Sequence, residues 1–63
     1  MKSLAKPGDK IECASTTVWI VKEVRQCKVT EQYHYSLSRS KNGMILKYVP
    51  EIEIDKVNGV RVG

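Results

Sequence analysis

Hydrophobic and polar positions alternate along the middle of this chain. From Val29 to Arg39, odd positions carry Val29, Tyr33, Tyr35 and Leu37, while even positions carry Thr30, Gln32, His34, Ser36 and Ser38. A period of two sends successive side chains to opposite faces of an extended backbone, so the stretch predicts a half-buried strand. Asn42-Gly43 follows, a dipeptide suited to the two φ > 0 positions of a type I′ turn. Val29–Val49 is therefore expected as one long β-hairpin. A two-residue loop would pair Lys41 with Met44, Arg39 with Leu46 and Leu37 with Tyr48. In that register Tyr33, Tyr35, Leu37, Leu46 and Tyr48 share the core face.

The pattern extends to both sides. Residues 1–6 have no periodicity and are expected as a loose arm. Pro7-Gly8-Asp9 signals a turn, and Lys10–Ala14 reads as a first short strand with Ile11 and Cys13 on one side. Ala14-Ser15-Thr16 reads as a loop. Thr17–Arg25 predicts a second strand whose Val18, Trp19, Ile20 and Val21 are apolar on both faces. Strict pleating would put Lys22 on the face of Ile20 and Val24. A β-bulge near Lys22-Glu23 instead returns Val24 to the face of Trp19 and Val21 and bends the strand. Gln26-Cys27-Lys28 links to the hairpin. Pro50 ends a strand or marks an edge. Glu51–Val57 resumes the alternation, with Ile52 and Ile54 opposite Glu51, Glu53 and Asp55. Asn58-Gly59 signals a second tight turn, after which Val60–Val62 folds back. No segment shows helical periodicity over ten residues. The expectation is an all-β domain over residues 7–63, a small barrel or sandwich of five or six short antiparallel strands.

Size and charge narrow the picture. A chain of 63 residues is one domain with a small core and modest stability. It has no apolar run long enough to cross a membrane and no segment of signal-peptide type, so a soluble cytoplasmic protein is expected. Cys13 and Cys27 are the two cysteines. They form neither a disulfide framework nor, with the single His34, a zinc site, and are expected to be reduced. The net charge is +4. Lys22–Lys47 holds six cations (Lys22, Arg25, Lys28, Arg39, Lys41, Lys47) against two acids, Glu23 and Glu31. Such a basic middle suits a polyanion or an acidic protein surface.

Several of these residues carry a resemblance. Pro7-Gly8-Asp9 before a first strand, the second strand Trp19-Ile20-Val21-Lys22-Glu23-Val24, and the closing Tyr48-Val49-Pro50-Glu51 with Glu53-Ile54 resemble small SH3-like barrels of bacterial and phage proteins. The glycine usual before the second strand is replaced by Thr17-Val18. The acidic and aromatic set of proline-peptide-binding SH3 domains is missing. The resemblance implies a fold, a small SH3-like barrel over residues 7–63, and carries over no binding residues.

Signatures of catalysis are absent from the sequence. There is no glycine-rich phosphate loop, no spacing that favours a Cys–His or Ser–His–Asp arrangement, and a single histidine to serve as base. No enzyme, cofactor or metal is expected. His34 reads as a solvated strand residue, and Glu51, Glu53 and Asp55 as an exposed acidic face. The tip Arg39-Ser40-Lys41-Asn42-Gly43 is the strongest functional candidate, since loops on a rigid sheet are where binding residues concentrate. With Arg25, Lys28 and Lys47 it forms the expected basic contact surface. Trp19 is a candidate aromatic contact, with a place in the core as its other reading. The leading expectation is thus a non-catalytic module whose basic face meets nucleic acid or a nucleic-acid-associated protein. The alternative is a phage or mobile-element protein-interaction module, monomeric or homodimeric, pairing through an edge strand at Lys10–Ala14 or Val60–Val62.

Overall fold

The computed structural model describes residues 3–13 and 16–62. The tail of the expected first strand at Ala14, the loop residues Ala14-Ser15, and Met1 and Lys2 of the expected arm lie outside the described residues. The protein is all-β, with six antiparallel strands in one sheet of order β4-β3-β2-β1-β5-β6. They are β1 (Lys10–Glu12), β2 (Val18–Gln26), β3 (Tyr33–Ser38), β4 (Lys47–Pro50), β5 (Lys56–Val57) and β6 (Val60–Arg61). The sheet is open rather than a closed barrel: β4 and β6 are its edges and do not pair. β1 lies between β2 and β5 and is not the free edge expected of it.

The bulge falls where the polar interruption in β2 requires it. Val21 pairs with Leu37 and Glu23 with Ser36, leaving Lys22 as the extra residue. Val24 then pairs with Tyr35 on the core face. Just before β1, the turn at Pro7-Gly8 docks on this bend. Gly8 takes φ 96°, its N–H donates to the Val21 carbonyl at 2.9 Å, and Val21 N–H donates to the Asp9 carbonyl at 2.9 Å. Asn58-Gly59 is a left-handed pair, φ 51° and 82°, joining Val57 to Val60 as a type I′ hairpin.

The long hairpin is different from expectation. Residues 27–32 form a turn, with Glu31 N–H donating to the Cys27 carbonyl and Cys27 N–H to that of Gln32. Val29, expected inward, is 90% exposed. Asn42 and Gly43 have no left-handed backbone; Gly43 N–H closes a turn on the Ser40 carbonyl within a longer loop. Leu37 pairs with Lys47, and Ser36 with Tyr48. That one-residue slip moves Tyr48 and Leu46 off the core face and puts Val49 on it. Val49 is buried, whereas Tyr48 is 55% and Leu46 58% exposed. The reason is volume and polarity: the face already holds fully buried Tyr35, Ile11 and Leu37, and an aliphatic fits there without a hydroxyl to satisfy.

The segment after β4 is also corrected. Glu51–Glu53 is a 3₁₀ turn, not strand, so Ile52 points out and Ile54 points in. The core comprises Ala5, Ile11, Cys13, Val21, Tyr35, Leu37, Val49, Ile54 and Val57. Ala5 belongs to the segment expected as a loose arm, and its neighbourhood is pinned. Leu4 N–H donates to Tyr35 Oη at 3.0 Å and to Glu51 Oε1 at 2.8 Å, while Ala5 N–H reaches Tyr35 Oη at 3.4 Å. Tyr35 O–H donates in turn to Glu51 Oε1 at 2.8 Å.

Candidate functional site

The structure gathers part of the expected contact surface around Trp19. Trp19 stands near the start of β2, paired with Ile11, on the face that carries Val21. It packs against the core from its rim and is half-buried. Arg39, just beyond β3, and Lys47, at the start of β4, follow the same face by alternation and register. The Arg39 guanidinium lies 5.5 Å from the indole centroid and Lys47 Nζ 5.6 Å from it. Contacts of this length are attractive through the ring quadrupole, about 0.5–1 kcal/mol each at an exposed site. They hold both cations against the one indole.

The loop from Arg39 to Leu46 stands beside this cluster. Ser38 O–H donates to the Ser40 carbonyl, and Ser40 N–H returns to Ser38 Oγ at 3.3 Å. Lys22, the bulged residue, donates from Nζ to the Lys41 carbonyl at 2.8 Å. The bend in β2 thereby tethers the loop that carries Lys41. Sequence pattern did not single out this use of Lys22, although the break in alternation marks the residue.

Arg25 and Lys28 are not part of the cluster. Trp19 and Arg25 are six residues apart on β2, about 20 Å at an ordinary strand rise. Arg25 also points to the other face, paired with His34, and lies 3.6 Å from the Glu23 carboxylate. Lys28 is exposed in the 27–32 turn. The expected single basic surface is two separate ones.

The outward face holds an aromatic pair that alternation alone would not reveal. His34 and Tyr48 stack with ring centroids 5.4 Å apart and planes 5° from parallel. They meet because the observed register pairs His34 with Pro50 and Ser36 with Tyr48, which places the two rings diagonally on one face. Ser36, directly opposite Tyr48, is buried despite its polarity.

The cysteines are free and far apart, Cys13 past the end of β1 and Cys27 past the opposite end of β2. Burial pushes the Cys13 thiol up; nearby Lys47 acts against this, and Glu53 and Asp55 with it. The Thr30 hydroxyl, then the backbone N–H groups of Thr30 and Val29, bring the Cys27 thiol down. Among the described residues no group of three or more His, Cys, Asp or Glu side chains is placed to hold a metal. No helix among them is long and apolar enough to cross a membrane. No protein-family model, curated protein or solved structure matches the chain.

Proposed function

We propose that this protein is a non-catalytic binding module whose basic surface contacts nucleic acid or an acidic, nucleic-acid-associated protein. The observation that carries the reading is the trio of Trp19, Arg39 and Lys47, an indole at the sheet rim with two cations over it. Phosphates draw on such cations for affinity, and an aromatic beside them offers a base a stacking surface. The net charge of +4 favours the same partner. The SH3-like reading of the sequence and a bacterial or phage origin are compatible with a small open sheet of this kind and belong to the same proposal, as does a cytoplasmic setting. Fluorescence anisotropy with labelled DNA and RNA oligonucleotides tests it. Binding at low salt that weakens steeply as salt rises is expected. Absence of binding to single- and double-stranded forms at low salt removes the reading.

A second reading, association with a protein or another copy of the chain, has its own observation. Met44 and Leu46 are 76% and 58% exposed beside the edge strand β4. An exposed apolar run next to unpaired backbone groups favours strand addition. Sedimentation at increasing concentration distinguishes it, since a constant monomer mass excludes self-pairing.

A further inference from the structure

We infer that the preferred ligand is a single-stranded nucleic acid, and that its unpaired bases stack on His34 and Tyr48 of the outward face. The inference rests on the nucleic-acid reading above and concerns a different surface from the Trp19 cluster.

The two rings already stack, with centroids 5.4 Å apart and planes 5° from parallel. Tyr48 is 55% exposed on an edge strand, with no further strand among the described residues to shield it. Buried neighbours give the pair a fixed base: Ser36 lies opposite Tyr48, Ser38 is buried two residues further along β3, and Tyr35 and Val49 anchor the opposite face of the same two strands. A nucleobase has a π-face whatever its sequence, so it can extend such a stack. A duplex keeps its bases paired inside and presents only edges and phosphates, so it gains nothing from the rings.

Charge on the same surface fits a backbone passing over it. Arg25 stands beside His34 in register and is largely exposed, and Lys47 precedes Tyr48 on β4. Lys47 points to the Trp19 side, so the edge of β4 is where the two surfaces meet. Glu23 opposes the arrangement. Its carboxylate lies 3.6 Å from the Arg25 guanidinium, on the row of Ser36 and Tyr48, and competes with a phosphate for that cation.

Anisotropy titrations of oligo-dT and oligo-rU against a duplex of equal length test the inference, the two single strands separating DNA from RNA. Single strands are expected to bind roughly tenfold or more tightly than the duplex. Tyr48→Ala, at an exposed position, is expected to weaken single-strand binding about tenfold while leaving duplex binding and the circular dichroism spectrum unchanged. Tyr48→Trp should restore the affinity, and Glu23→Gln should tighten it. Equal affinity for single strand and duplex, or a Tyr48→Ala protein that folds and binds like the original, overturns the inference and leaves the nucleic-acid reading standing. If no oligonucleotide binds, both fall. Should Tyr48→Ala fail to fold, His34→Ala takes its place with the same expected loss.

Discussion

Tyr35 donates its hydroxyl hydrogen to Glu51 Oε1 at 2.8 Å, and Leu4 N–H donates to both of these oxygens. One fully buried phenol thus joins β3, the 3₁₀ turn and the segment that leads into β1. Tyr35→Phe keeps the ring and removes the junction, taking the hydroxyl acceptor from the Ala5 N–H and the hydroxyl donor from Glu51, while Leu4 N–H keeps Glu51 Oε1. A loss of about 1–3 kcal/mol is expected, read as a lower midpoint in urea denaturation. A variant as stable as the original would show that the junction contributes nothing.

The same phenol makes stability depend on alkaline pH. Burial raises the Tyr35 pKa, and the hydrogen bond to Glu51 adds to it. The folded protein therefore keeps this proton past the pH, about 10, at which the unfolded chain releases it. The contribution is fully present below about pH 10 and is lost as pH rises from there through the folded-state value. Denaturation midpoints of the original protein should fall more steeply above pH 10 than those of Tyr35→Phe. Parallel curves would contradict this assignment.

The two thiols should separate kinetically. Cys27 is partly exposed, with a pKa lowered first by the Thr30 hydroxyl, whereas Cys13 is buried with a raised one. Alkylation under native conditions at pH 7.5 is expected to modify Cys27 at least about tenfold faster, because the thiolate is the reactive form. Thr30→Val should slow it. Mass mapping that finds Cys13 modified first would refute the placement of both residues.

Gly59 takes φ 82° with open space where a Cβ would stand, so its cost of substitution is backbone strain alone. Gly59→Ala should destabilise the fold by about 1 kcal/mol, as measured by thermal or urea unfolding.

Much of this architecture was legible because the signals were local. The bulge announces itself through Lys22 in an apolar run, and Asn58-Gly59 turns as its dipeptide suggests, with Asn58 Oδ1 also accepting the Lys10 N–H at 3.1 Å. Asn42-Gly43 carries the same dipeptide without the turn, because the register there is decided by what the core accepts from β4. Val49 goes in and Tyr48 goes out, and no local residue encodes that choice. The candidate site was legible in part for the same reason. Arg39 and Trp19 share a face by alternation, whereas Lys47 joins them only through the observed pairing with Leu37, and the separation of Arg25 and Lys28 depends on strand length and facing. The His34–Tyr48 pair exists only in the register that the sequence pattern did not predict.

Trp19 is the one tryptophan of the chain, so its emission reports directly on the proposed contact. The most direct measurement is tryptophan fluorescence during titration with an oligonucleotide at low salt, in the original protein and in Arg39→Ala, Lys47→Ala and Lys28→Ala variants. The account predicts a saturable change in Trp19 emission that salt reverses. Arg39→Ala and Lys47→Ala should each weaken it and lower the salt dependence by about one phosphate contact, and Lys28→Ala should leave it nearly unchanged. Emission that stays constant at every oligonucleotide concentration, or that responds equally to all three substitutions, contradicts a contact surface centred on Trp19.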